Sequence, residues 1–317
     1  MKIRFNEALE VIRVHAEELL ESDCHDWLDR ELVPASIKNI VEGGIYFVVN
    51  GSPELLQSIH ASVILSNRAE ESGNGNLVIV VKNPQLTHYA ITALLEPTKE
   101  VGIHSTAIVS AGANIHPSAY IGPYCIVGEA VISENVCLQS HVVIKDNVTI
   151  GKNTVIDSGT VIGTRGMAWI WDEDGKRVMQ PQVGGVIVGE DCIIGSNISI
   201  VRGSLTENTI IGSGTVIAHG SMIGHGALVG ELVHFANNVS LAGNARIGNR
   251  VFLGSSCVVS SNVSVEEGCI VGAGSVVTKS FSEKNVTIAG VPAQVLKRDN
   301  FNSKPSGAPK PYKNQDR

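Results

Sequence analysis

The sequence predicts a mainly β protein: a parallel β-helix of hexapeptide repeats preceded by a small N-terminal α/β domain. Three observations carry this. From Ile211 to Val277 a large apolar residue stands at every sixth position: Ile211, Ile217, Ile223, Val229, Phe235, Leu241, Ile247, Leu253, Val259, Val265, Val271 and Val277. A small or β-branched residue follows each of the first eleven by four places: Thr215, Ser221, Ala227, Val233, Val239, Ala245, Val251, Cys257, Val263, Cys269 and Ser275. Aromatics are only 4% of the 317 residues, while glycine supplies 33. Period six fits neither an α-helix nor a simple strand; it is the period of a hexapeptide solenoid, whose core is a stack of small aliphatics. Three hexads close one triangular turn, so residues 18 apart lie one coil above each other, about 4.8 Å away.

The elements follow in order. Residues 1 to about 33 read as helix, with Ala8, Val11, Ile12, Ala16, Leu19 and Leu20 at helical spacing. A strand follows the Gly43-Gly44 turn through Phe47 to Asn50, a short helix starts at Pro53, and strands cover 61–65 and 77–81. Asn83-Pro84 opens a helix that Pro97 ends. Strands alternating with helices make residues 1–100 an α/β domain, with nucleotide binding as one use. Residues 101–298 are the solenoid, beginning near Ile103, slipping register by one after Val127, and interrupted at 163–185 and again, briefly, at 202–208. Residues 299–317, with Pro305, Pro309 and Pro311, read as a disordered tail.

The formal net charge of −7 and the absence of a basic tract argue against a nucleic-acid surface. No apolar run is long enough for a membrane span, and the amphipathic, acidic N-terminus lacks a signal peptide's core; the reading is a cytoplasmic protein without stable membrane insertion. Six cysteines form no CxxC pair, and four occupy small inward places, so neither zinc nor disulfides are expected.

His219 and His225 hold the third place of neighbouring hexads, and His234 the last place of its own. Gly243 lies one coil above His225, where it leaves a backbone N–H unshielded. A corner histidine of this kind suits general-base work, with the Gly243 N–H as oxyanion donor; it equally suits a hydrogen-bonded structural corner. A three-sided prism favours a homotrimer. The loop at 163–185 carries Trp169 and Trp171, which either cover a sugar or cofactor or form the loop's own packing core.

The line Ile223-Gly-His225-Gly-Ala-Leu through Leu241-Ala-Gly243 resembles the catalytic segment of the hexapeptide acyltransferases. The resemblance implies a left-handed helix, His225 as general base and Gly243 as oxyanion donor. It covers about residues 35 to 277 and, within the superfamily, is broadest toward the UDP-3-O-acylglucosamine N-acyltransferases: Ile45–Asn50 and Val80–Pro84 resemble their uridine-binding domain, and Val161–Gly166, Pro181–Gly189 and Arg202–Gly212 their substrate loop and central coils. Substrate-binding candidates are therefore Phe47, Asn50, Trp169, Trp171 and His234. Four departures stand out. Gly226 follows His225 where the family has Asp or Asn, so a carboxylate partner must come from elsewhere, Glu231 or another subunit. Asn262 holds the place of a second functional His. Gly51-Ser52-Pro53 replaces a uracil-stacking Tyr. The C-terminus, Gly272–Lys279 and Ala289–Lys297, resembles instead the closing motif of coenzyme-A-dependent acetyltransferases, which makes Ala273, Lys279, Gly290 and Lys297 cofactor-binding candidates.

The expectation is an acyltransferase moving an acyl group from acyl-CoA, rather than from acyl carrier protein, to the amine of a nucleotide-linked amino sugar, without a metal. The alternatives are the lipid A N-acyltransferase with a carrier-protein donor, and a non-catalytic scaffold.

Overall fold

The computed structural model describes residues 1–16, 24–49, 53–69, 73–96 and 100–297. The chain divides into two compact units, Met1–Thr98 and Lys99–Arg317.

The first unit is a five-stranded sheet with helices. Its strands β1 (Ile3–Arg4), β2 (Glu31–Pro34), β3 (Gly44–Val48), β4 (Val63–Ser66) and β5 (Leu77–Val80) lie in sequence order, parallel except for β1. The single helix expected over residues 1–33 is replaced by β1, the helix α1 (Phe5–His15) and β2. Ile3 and Leu32 face each other across β1–β2 and are both buried, which a continuous helix could not achieve. Leu19 and Leu20 lie outside the described residues. Helix α1 buries Phe5, Ala8, Leu9 and Ile12, one stripe at helical spacing. After the short α2 (Pro53–Ser58), α3 (Pro84–Thr92) starts as expected: the Asn83 side chain accepts from the Leu86 N–H at 3.1 Å, with Pro84 in the first turn.

The second unit is the left-handed parallel β-helix. Its strands stack into three faces, parallel except for the last strand of face C: face A, nine strands from Ile108–Val109 to Val276–Val277; face B, eight from Asn114–Ile115 to Ser264–Val265; and face C, eleven from Gly102–Ile103 to Ala293–Lys297. Met222, Ser240, Val258 and Val276 stand in one column, so the 18-residue turn holds through the long run. The register slip is visible as Ile126 opposite Val143. From Ile121 to Val277 the sixth-place residues are buried, and so are the small residues between them; Ile103, in the first coil, is 53% exposed. Cys125, Cys192, Cys257 and Cys269 fill small inward places, and burial pushes the Cys257 thiol up to about 12.

Corners turn through left-handed backbone at every sixth residue: Leu232, Asn238, Asn244, Arg250, Ser256 and Asn262 all have φ between +56° and +61°. Asn tolerates this region through local side-chain bonding, which is why the sequence is rich in it there. Two features were not legible in the hexads. The 163–185 segment contains an antiparallel hairpin, Trp169–Trp171 with Arg177–Met179. Face C also outlasts the hexads, ending in the hairpin Thr287–Gly290 with Ala293–Lys297. The expected tail, 299–317, lies outside the described residues. Among the described residues no helix is long and apolar enough to cross a membrane.

Candidate active site at one corner of the prism

His225 sits at the corner joining face A to face B, between strands Met222–Ile223 and Leu228–Val229. The two breaks in the hexad pattern leave from this same corner, in the coils beneath it. Val161 of face A therefore pairs with Ser199, and Ser199 with Met222, instead of with the residue 18 further on. One coil above, the imidazole lies over Gly243. A Cβ at 243 would strike the ring, with Nε2 nearest and Cδ2 and Cε1 at 2.8 Å. Gly243 is buried beneath the ring, and its N–H donates to no acceptor among the described residues. Nothing in the Gly243 backbone requires glycine, since its φ is not in the left-handed region; the imidazole does. Gly226 next to it is the left-handed corner residue, at φ +64°, and carries no group to hold the ring.

The ring is held from below. Ser204 Oγ lies 3.1 Å from His225 Nδ1. Nε2 has no hydrogen-bond partner among the described residues. Ser204 belongs to the short insertion, whose turn is tied by Glu207: its carboxylate accepts from the N–H of Ser204 (2.6 Å) and of Leu205 (3.1 Å). The backbone N–H of Glu207 itself, then those of Ser204 and Leu205, hold the Glu207 carboxyl below its ordinary value, and the neighbouring His225 adds a smaller pull in the same direction. Gln182, from the end of the long insertion, bridges the two loops. Its Oε1 accepts from the Gly166 N–H and its Nε2 lies 3.4 Å from Ser204 Oγ. Backbone bonds stitch the same loops together, Val183 N–H to Ser204 O and Gly184 N–H to Gly203 O, both 3.1 Å. Arg202 pins the start of the long insertion through Gly163 O at 2.9 Å. Glu231, considered as a carboxylate partner, lies at the next corner, between faces B and C, where its N–H donates to Asn249 Oδ1. The carboxylate near His225 is Glu207.

His219 offers an internal comparison. It holds the same hexad place one corner earlier, and there its Nδ1 accepts the Ser196 N–H at 2.8 Å. It is a cap for the coil below. His234 projects from face C, opposite the His225 corner, stacked on Phe252 at 5.2 Å and 16°, with burial lowering its pKa. Within one chain it does not share the site. Trp169 and Trp171 pack edge to face at 4.8 Å, and the Arg177 guanidinium lies 4.7 Å from the Trp169 ring centre. They form the hairpin's own cluster, yet remain 42% and 58% exposed.

A family model of bacterial transferase hexapeptide repeats matches residues 244–279, and one of the hexapeptide repeat of succinyl-transferase matches 141–165. The solved structure of a UDP-N-acetylglucosamine O-acyltransferase from Moraxella catarrhalis superposes with TM-score 0.56 at 31% identity, covering 61% of this chain and 73% of that one. The chain belongs to the hexapeptide-repeat acyltransferase superfamily. Among curated superfamily members it is similar to the UDP-3-O-acylglucosamine N-acyltransferase of Coxiella burnetii, 38% identical over 202 residues. That match spans 57% of this chain and 59% of the relative. The same enzyme of Pseudomonas paraeruginosa is 39% identical over 180 residues, half of each chain.

The superfamily features expected from the sequence are distributed as follows. Asn262 is a left-handed corner residue whose N–H donates to Gly243 O at 3.1 Å, so its place above the site is structural. Lys279 follows the last face A strand, Val276–Val277, at the same corner as His225, three turns further on; its Nζ donates to Gln294 Oε1 at 3.2 Å. The closing hairpin brings Ala289 and Gly290 against the corner formed by Gly272 to Ser275: a Cβ on Gly272 would lie 2.9 Å from that of Ala289, and the Gly290 N–H donates to Ser275 Oγ at 3.2 Å. Ala273 is therefore at this joint. The backbone of Lys297 pairs with Thr287, and its side chain lies outside the described residues. In the N-terminal unit Phe47 packs on His88 at 5.2 Å and on Tyr89 at 6.4 Å. His88 Nε2 donates to Ile45 O, and its Nδ1 is buried without a partner among the described residues. Asn50 lies outside the described residues.

Sequence reasoning missed Ser204, Glu207 and Gln182. One signal was present: both interruptions follow a face A strand, as His225 does, so counting hexads places all three at one corner.

Proposed function

We propose that this chain is an N-acyltransferase that moves an acyl group from a thioester to the amine of a nucleotide-linked amino sugar. The observation that carries this is the His225 imidazole lying over Gly243 with Nδ1 held and Nε2 unpaired. In the proposed reaction the acceptor nitrogen attacks the thioester carbonyl while Nε2 takes its proton. The oxyanion of the tetrahedral intermediate is met by the Gly243 N–H. Collapse breaks the C–S bond, the imidazolium returns its proton to the thiolate, and an amide and a free thiol leave. Glu207 ties the turn that holds Ser204 against the ring. We infer a homotrimer, since one prism alone gives this corner no opposing wall.

The names of the curated relatives favour a UDP-linked 3-O-acylglucosamine as acceptor over a simpler nucleotide amino sugar; they name no donor, and a carrier-protein thioester is the donor that the resemblance to the lipid A N-acyltransferases implies. The Phe47–Tyr89 pair supports a base site in the N-terminal unit: the exposed ring of Tyr89, held edge to face by Phe47, suits stacking of a flat ring. A second reading, with acyl-CoA, is favoured by one feature. Lys279 stands at the His225 corner, while the small-residue joint at Ala273 and Gly290 lies at the neighbouring corner, between faces C and A; together they offer close backbone and a cation to a pantetheine arm with phosphates at its end.

The test is thiol release and acceptor N-acylation by the wild-type chain and His225→Ala, with hydroxyacyl carrier protein and acyl-CoA donors offered separately. Loss of about 10²–10⁴-fold in kcat is expected. Undiminished turnover removes His225 as base; binding of nucleotide sugar without transfer from either donor favours a scaffold.

A further inference from the structure

We propose that the 202–208 insertion converts a capping histidine into a base, with Ser204 as the positioning residue that fixes the His225 tautomer. The inference rests on the reading of His225 as base, and it concerns which ring nitrogen carries the proton before any substrate arrives.

The two neighbouring histidines make the case. At 219 the coil below presents a backbone N–H, that of Ser196, to Nδ1 at 2.8 Å. An N–H can only donate, so Nδ1 must be the acceptor and Nε2 must carry the proton. A histidine fixed in that tautomer has no lone pair facing outward. The equivalent N–H beneath His225 is that of Arg202, whose strand pairs Ser199 with Met222. That N–H is turned away to Thr164 O at 2.9 Å, because the chain leaves the coil there. In its place the insertion puts the Ser204 hydroxyl, 3.1 Å from Nδ1. A hydroxyl accepts as well as donates, so Nδ1 is released from the acceptor role that the regular coil imposes.

Accepting from Nδ1–H, Ser204 leaves the Nε2 lone pair over Gly243, where the reacting amine must deliver its proton. The hydroxyl is located from two sides. Gln182 Nε2 lies 3.4 Å from Oγ, its amide oriented by the Gly166 N–H on Oε1, and Glu207 ties the backbone N–H groups of Ser204 and Leu205. Ser204 thus takes over the task of the partner missing at Gly226, from the coil below rather than from the adjacent residue.

The experiment is ¹⁵N-histidine NMR of the full chain without substrate, with His219 and His225 assigned by His219→Ala and His225→Ala. The wild type should show a protonated Nδ1 and a pyridine-like Nε2 at His225, and the reverse at His219 in the same spectrum. Ser204→Ala should lose that bias at His225 only, and lower kcat by about 10–100-fold with acceptor KM little changed. Ser204→Thr, which keeps the hydroxyl and guards against a folding artefact, should restore both. An Nε2–H tautomer at His225 in the wild type, or an unchanged ring in Ser204→Ala, overturns the proposal. The spectrum requires no turnover, so the expected tautomer in a chain that transfers no acyl group would sink the functional reading and leave the positioning role standing.

Discussion

Gly243→Ala isolates the contact on which the site depends. The added methyl would lie 2.8 Å from Cδ2 and Cε1 of His225 and nearer still to Nε2, against an ordinary contact of 3.4–4 Å. The ring must therefore move by about 0.6–1 Å, while Ser204 holds its far side at 3.1 Å; one of the two contacts has to yield. Backbone strain contributes nothing, because φ at 243 is not left-handed, and alanine keeps the N–H. A displacement near 1 Å at the reacting nitrogen costs on the order of 100-fold in rate, about 2.7 kcal/mol at the transition state. Overpacking beside a half-buried ring adds about 1 kcal/mol of lost stability. The assay pairs kcat for Gly243→Ala with thermal unfolding of the single variant and of His225→Ala/Gly243→Ala. With the ring gone the methyl has room, so the stability loss should vanish in the double variant, a coupling readable as a cycle. Wild-type kcat in Gly243→Ala, or an equal destabilisation with and without the imidazole, would refute the contact.

Two further substitutions test neighbouring corners. His219→Ala removes the acceptor of the Ser196 N–H and should lower stability by about 1 kcal/mol in urea titration, with kcat unchanged; a large loss of turnover would mean that His219 does more than cap. Leu232 is an exposed leucine at φ +56°. Leu232→Asn should relieve part of the roughly 1–2 kcal/mol that a branched residue costs there and raise Tm by a few degrees. A lower Tm would show that the Leu232 side chain packs more than it strains.

The sequence by itself determined the architecture, because a hexapeptide coil is a local rule repeated. An inward aliphatic at every sixth place and a small residue four places on leave one way to close a turn, and Asn or Gly at the corner supplies the left-handed residue that closes it. The same arithmetic put Gly243 above His225. What arithmetic could not reach is what the chain does where it breaks the repeat. Ser204, Glu207 and Gln182 lie in segments with no period. They gather beneath His225, with Ser204 touching the ring, only because both insertions leave from one corner and are stitched together by backbone bonds between 183–184 and 203–204. The N-terminal helix failed for a related reason: helical spacing in residues 1–33 was real over Phe5–His15, but Ile3 and Leu32 are paired across β1–β2 and buried, a contact between distant residues that local spacing does not show. Periodicity decides which side chains face inward. Which nitrogen of His225 is held, and by what, was decided by tertiary structure, since a hydrogen bond between residues in different coils depends on the path between them and leaves no trace in local spacing.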